Sequence, residues 1–309
     1  MNKKGEHGEK LVSLLNNAKL SSIDKPRVKK ALEYYDKWIE KLNEIPEDIE
    51  TEQIISRAVD LLNEYKHKIE FELIFCSEDD FLYRQKGQLK LDSTIIEEFL
   101  PILVKKCIRK HIEGLDLIIS SQMKVFSSLH FTASLHIPGI GGGMEIKNKD
   151  QDFSISRKLF IQSSYNNSFL PNETNMVETA LGYVLAELKT NLDKTMFQEA
   201  AATARDVKLA VTGARYYLIC DYLDMTPISS LITDIDEILV LRRAKRLSSN
   251  IRKDFSSYEG RKRAMEVYKK FLLDNPYSKE VIGRFINHIL RAVSTGELDE
   301  TSVLEDGFF

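Results

Sequence analysis

Residues 183–222 constrain the fold more tightly than any other stretch of this chain. Tyr183, Val184, Leu185 and Ala186 read as a buried strand that runs on into Glu187, Leu188 and Lys189. TMFQEAAATARDVKLAV follows as a helix, by its alanines and its Met196, Ala200, Ala204, Val207 stripe, and ARYYLICDYL is a second strand. Strands joined through a helix of that length form a crossover unit, because a short turn joins only antiparallel neighbours. Upstream, KVFSSLHFTASLHI and DFSISRKLFIQSSY carry β-branched and aromatic residues on either side of the turn PGIGGG, and predict further strands. The order predicts an α/β (α+β mixed) fold with a central mixed sheet flanked by helices.

Both ends of the chain read as helical. LVSLLNNAKL, VKKALEYYDKWIEKLNEI after Pro26 and IISRAVDLLNEYKHKI after Pro46 predict three helices. Leu32, Tyr35, Trp38, Ile39 and Leu42 make one apolar stripe, read as helical packing without a site. KLDSTIIEEFLPIL opens a further helix with Asp92 or Ser93 as N-cap. From Asp236 onward the chain is expected to return to helix, through LRRAKRLSSNIRKDF, RKRAMEVYKKFLLD and KEVIGRFINHILRAV, before an acidic tail, ELDETSVLEDGFF, expected to be mobile. The expected division is a helical N-terminal region, 1–88, a catalytic core, 89–246, and a helical C-terminal region with its tail, 247–309.

Several chemistries lack their residues. The three cysteines, Cys76, Cys107 and Cys220, have no zinc-type spacing, and the six histidines form no Ser/His/Asp or HNH arrangement. The glycine run from Gly139 to Gly143 lacks the Gly-Lys-Ser/Thr ending of a phosphate loop. No apolar run approaches the roughly 20 residues needed to span a bilayer, so a cytoplasmic protein without membrane partners is expected. A net charge of -3 requires any nucleic-acid surface to be a local patch.

Glu-x-Lys occurs three times, as Glu64/Lys66, Glu145/Lys147 and Glu187/Lys189, and context separates them. The first lies in a helical pattern, where residues two apart do not face each other, and the second follows a glycine run into polar sequence. Only Glu187/Lys189 ends an apolar strand, where alternation puts both side chains on one face, and precedes a helix with Gln198 and Glu199 in its early turns. Carboxylates suit Mg²⁺, which prefers oxygen ligands, and a neighbouring lysine can position or deprotonate the attacking water. Glu187 and the Leu188 carbonyl would then be metal ligands beside Lys189, and a second acid is required. Glu178 is the preferred candidate, as catalytic and metal-binding residue, with Asp152 as its rival, Glu173 behind them and Glu98 as a supporting carboxylate. The competing reading of Glu187/Lys189 is a charge pair at a sheet edge.

The strand-ending Glu187-Leu188-Lys189, the helix with Gln198 and the strand ARYYLICDYL together resemble the PD-(D/E)xK nuclease core. More narrowly, Ala186 to Arg246 with GQLKLDSTIIEEFLP and DFSISRKLFIQSSY is similar to the Bpu-type type II restriction endonucleases, over about the middle two thirds of the chain. The resemblance implies a Mg²⁺-dependent endonuclease that cuts double-stranded DNA at an interrupted, non-palindromic site through two non-identical subunits, each with one active site. It implies that Glu187 and Lys189 are the second acid and the lysine of the motif, with Gln198 in support. The leading Pro-Asp is missing, since Pro171 precedes Asn172 and no proline precedes Glu178.

DNA contacts are expected from the basic run between Arg242 and Lys270, which includes Arg243, Lys245, Arg246, Arg261, Lys262 and Arg263. Arg157 and Lys158 in DFSISRKLF are further candidates. The expected function is a restriction endonuclease subunit in a heterodimer or homodimer. The alternatives are a repair or defence nuclease without strict specificity, for which a fused helicase or sensor domain is expected, and a non-enzymatic DNA-binding scaffold.

Overall fold

A computed structural model describes residues 4–294 and Leu304, so the acidic tail, Leu304 apart, lies outside the described residues. Five helices come first: α1 (Glu6–Leu15), α2 (Lys25–Glu44), α3 (Thr51–His67), α4 (Asp80–Gln85) and α5 (Ser93–Ile108). A π-helical segment, Lys68–Phe75, continues α3. The strands are β1 (Ile118–Ser120), β2 (Met123–Phe131), β3 (Met144–Gln151), β4 (Phe153–Ser164) and β5 (Thr174–Leu192), then β6 (Arg215–Leu223) and β7 (Glu237–Lys245) after α6 (Lys194–Ala210). Helices α7 (Ser249–Arg252), α8 (Tyr258–Arg263), α9 (Met265–Asp274) and α10 (Lys279–Ser294) close the described chain.

The sheet has the order β1-β4-β5-β6-β7, antiparallel from β1 to β5 and parallel from β5 to β7. Helix α6 makes the expected crossover from β5 to β6, its N-terminus capped by the Asp193 carboxylate, which accepts from the Met196 N–H at 2.9 Å. Strand β5 has two roles: its first half pairs with β4 alone, and from Val184 it also pairs with β6. Strands β2 and β3 form a separate hairpin. Its loop turns through Ile140–Gly143, where Gly141, at φ +54°, lies against the Ser163 carbonyl so closely that a Cβ would collide with it.

Two apolar layers sandwich the sheet. Ala186, Leu188, Tyr217 and Ile219 join one with Trp38, Leu62, Phe99 and Phe285, so α2, α3, α5 and α10 cover that face. Leu185, Tyr216 and Leu218 join the other with Phe197, Ala200, Ala204 and Val207 of α6. Alternation places Glu187 and Lys189 on the α6 face with Leu185. The first layer runs from Leu11 to Ile289, so α1, α2, α3, α5 and α10 share one core with the sheet, while Phe255 and Leu272 pack with Phe71 and Phe75 in a smaller cluster of their own.

Elements α4, β1 and β3 are additional to those the sequence predicts, and one stretch runs against expectation. The chain after Asp236 does not return to helix at once, because Glu237–Lys245 is a strand, paired through Tyr217↔Glu237 to Leu223↔Lys245. Ile238 to Leu241 is an unbroken apolar run, the pattern of a parallel strand covered on both faces. Its end carries Arg242 into the interior, where the guanidinium pairs with Glu70 at 2.7 Å and lies 4.2 Å from the Tyr277 ring centre. Lys66 pairs with Glu70 at 2.9 Å and Asp221 at 3.4 Å, and the Tyr277 hydroxyl donates to Asp221 at 2.8 Å. Two cations and two carboxylates balance within this buried set, which ties α3 to β6 and β7.

Candidate active site

The carboxylate of Glu187 is held at both oxygens. Lys189 Nζ lies 2.7 Å from Oε1, and the buried Tyr216 hydroxyl donates to Oε2 at 2.8 Å. Strand β5 lies in the middle of the sheet order, so this charge pair is not the anti-aggregation feature of an edge strand.

The antiparallel register of β4 and β5 brings in a second acid. Phe153 pairs with Ala186, which leaves Asp152 beside Glu187, and Asp152 Oδ2 accepts from the Leu188 N–H at 2.8 Å. Burial pushes the Asp152 carboxyl above the ordinary aspartate value, and the Glu187 charge adds to this against the Leu188 hydrogen bond. Burial pulls the Lys189 ammonium down, but the hydrogen bond and charge of Glu187 outweigh it and leave it above the ordinary lysine value. The contact with Glu187 thus favours Lys189 as an ammonium donor.

A third acid, which the sequence reading passed over, is Glu97 on α5. It is buried, accepts from Gln122 Nε2 at 2.6 Å and is pushed up by burial, with the Asp152 charge adding to the effect. Gln122, at φ +54°, and Lys90, at φ +51°, are non-glycine residues in the left-handed region, a costly conformation that concentrates at functional sites. Lys90 is exposed, and its charge opposes the upward push on both Asp152 and Glu97.

Other expected residues lie elsewhere. Glu178 is on β5 itself, nine residues before Glu187, and pairs with Lys158 at 2.6 Å; one extended strand cannot fold back to put both acids on one ion. Glu173 sits at the far turn, where Asn166 donates to it at 3.3 Å. Glu98 faces the N-terminal helices, accepting from the Tyr35 hydroxyl at 2.7 Å and the His7 N–H at 2.8 Å. Gln198 is exposed on α6, whereas Glu199 acts electrostatically on Lys189.

The basic run divides. Arg242 is buried in the ion-pair set described above, and Arg261 is buried with its guanidinium donating to the carbonyls of Phe75, Ser77 and Phe255. Both are withdrawn from any DNA surface, because their positive charge is consumed inside the fold. Arg243, Lys245, Lys262 and Arg263 are exposed, Arg246 pairs with Asp224 at 2.9 Å, and Arg157 and Lys158 are exposed on β4.

The donor set suits a hard divalent cation. Among the described residues no group of three or more His, Cys, Asp and Glu side chains is gathered for a metal, so the carboxylates directly available are those of Asp152 and Glu187. Asp152 and Glu187 bring two carboxylates side by side, an arrangement whose like charges a cation would balance.

A family model described as Bpu10I restriction endonuclease matches residues 88–309. The chain is also similar to a solved structure, the native BbvCI A2B2 tetramer at low resolution, with a TM-score of 0.66 and 20% sequence identity over 96% of this chain and 99% of that chain. That likeness is one of fold, and it spans the helical ends as well as the sheet. No curated protein matches the sequence.

Proposed function

The chain belongs to the Bpu10I restriction endonuclease family, and from that premise we propose that Asp152, Glu187 and Lys189 form a Mg²⁺-dependent centre for phosphodiester hydrolysis. The family assignment makes it a type II site-specific deoxyribonuclease, and such enzymes generally use divalent metal ions. The observation that carries the proposal is the convergence of Asp152 with Glu187 and Lys189, from strands β4 and β5, at one end of the sheet.

Asp152 and Glu187 would hold the cation, with the Leu188 carbonyl as a further candidate ligand. When bound, Mg²⁺ would lower the pKa of a water and stabilise charge developing on the phosphoryl group. The Lys189 ammonium orients the nucleophile or a phosphate oxygen by hydrogen bonding. Attack of water on phosphorus breaks the bond to the 3′-oxygen and leaves a 3′-hydroxyl and a 5′-phosphate. Arg157, Lys158, Arg243, Lys245, Arg246, Lys262 and Arg263 remain as candidate DNA contacts.

One centre per chain cuts one strand, so a double-strand break needs two. The similar structure is an A2B2 tetramer, and the reading here is a subunit that acts with a homologous partner at an interrupted, non-palindromic site. Incubating the purified chain with plasmid DNA and Mg²⁺, alone and with any homologous chain encoded beside it, tests this. Discrete fragments are expected, lost with EDTA and in Glu187→Ala and Lys189→Ala variants. Parental cleavage by the Lys189→Ala variant overturns the assignment of this centre.

A further inference from the structure

We infer that Tyr216 is a positioning residue that selects which oxygen of Glu187 meets the divalent cation. The inference rests on the reading of Glu187 as a metal ligand. Tyr216 is fully buried, and its ring belongs to the apolar layer with Leu185, Leu218, Phe197, Ala200 and Ala204. A buried phenol needs a hydrogen-bond partner, and among the described residues it has one, Glu187 Oε2 at 2.8 Å.

The phenol is held from behind as well. The Tyr216 N–H donates to Asp236 Oδ2 at 2.7 Å, and the Tyr216 carbonyl accepts from the Asp236 N–H at 2.8 Å. Asp236 is in turn fixed by Lys208 of α6 at 2.9 Å and by Arg215 at 3.1 Å. The backbone is anchored by hydrogen bonds and the ring by burial, and the hydroxyl reaches Glu187 as a positioned donor.

The chemical consequence is an asymmetry between the two oxygens. Each oxygen accepts one donor and keeps a lone pair, so the difference lies in their surroundings: Oε2 meets a hydroxyl inside the buried apolar layer, whereas Oε1 meets Lys189, whose side chain is 26% exposed, on the side open to a cation. The cation and the ammonium would then share one oxygen, which keeps Lys189 next to the coordination sphere where its hydrogen bonds act on the nucleophile or phosphate. A carboxylate held in one orientation also loses less freedom on binding metal. Groups that orient a metal ligand in this way typically cost about 10–100-fold in metal affinity when removed.

The test is the Tyr216→Phe variant of the full-length chain, which removes one hydroxyl and keeps the ring. Mn²⁺ binding is titrated by electron paramagnetic resonance without DNA, beside the parent and Glu187→Ala. Affinity is expected to fall about 10-fold or more, the Mg²⁺ midpoint of cleavage to rise by the same factor, and saturating Mg²⁺ to recover most of the rate. Unchanged Mn²⁺ affinity in Tyr216→Phe, with weakened binding in Glu187→Ala, overturns the inference and leaves the metal-ligand reading standing. Unchanged affinity in both variants overturns that reading itself. If Tyr216→Phe does not fold, difluorotyrosine at position 216 replaces it, and an Mn²⁺ affinity that does not move with phenol acidity overturns the inference.

Discussion

Exchanging Asp152 for Asn and, separately, Glu178 for Gln discriminates between the two acids that the sequence leaves open. At roughly 3.3 Å per residue, the nine steps along β5 from Glu178 to Glu187 span about 30 Å. Ligands of one Mg²⁺ lie about 2 Å from it, so Glu178 is out of reach by an order of magnitude. Asp152 instead bonds the Leu188 N–H at 2.8 Å, next to Glu187. Charge stabilisation by a catalytic metal is worth several kcal/mol, and a loss of about 4 kcal/mol corresponds to roughly a 10³-fold slower reaction. Single-turnover cleavage of a plasmid in Mg²⁺, with the partner subunit present, should therefore slow by about 10³-fold in Asp152→Asn. Glu178→Gln breaks an exposed pair with Lys158, worth at most about 1 kcal/mol of stability, and should cleave within a few-fold of the parent. Parental cleavage by Asp152→Asn, or loss of cleavage in a folded Glu178→Gln variant, would refute the assignment.

Two further outcomes follow from the same geometry. The folded-state values of Asp152 and Glu97 are raised, so the folded protein holds these protons more tightly than the unfolded chain does, and the stability they contribute is lost as pH rises through the folded values. Asp152→Asn and Glu97→Gln should therefore melt above the parent at neutral pH, with the gain fading near the unfolded carboxyl values of about 4; calorimetry at both pH values checks this, and no gain at neutral pH contradicts it. Arg242→Ala should cost about 3–5 kcal/mol in urea denaturation, because it leaves two buried carboxylates, Glu70 and Asp221, with the single buried cation Lys66. Exposed Arg263→Ala should leave stability within about 0.5 kcal/mol while lowering the salt slope of DNA binding by about 1, and equal stability losses in the two would contradict the division of the basic run.

The strand, helix and strand around Glu187 were legible because their patterns are local: four apolar residues, an alanine-rich stripe, and another apolar run. The partner of Glu187 was not, because Asp152 arrives through a pairing of β4 with β5 across 36 residues of chain. Sequence proximity favoured Glu178, and the extended backbone between the two is what separates them. Glu97 and Glu98 are adjacent on α5 yet point to different neighbours, Gln122 and Tyr35, and only the packing of the helix decides which one turns toward the site. The basic run in LRRAKRLSSNIRKDF hid the end of β7 because charge was read as solvent exposure. Arg242 and Arg261 are the exceptions, since their charges are balanced or hydrogen-bonded inside the fold.

The single apolar layer that takes in Leu11 of α1, Ala186 of β5 and Phe285 of α10 also limits how such a protein can be recombined with its relatives. A crossover between genes at residue 88 or 246 would join a helix shaped to one partner with a sheet shaped to another, and the mismatch would fall in close-packed interior. New combinations of ends and centre are thus disfavoured as inheritance events. Changes in what the protein reads on DNA are left to loops and exposed side chains, which can vary while the shared interior stays as it is.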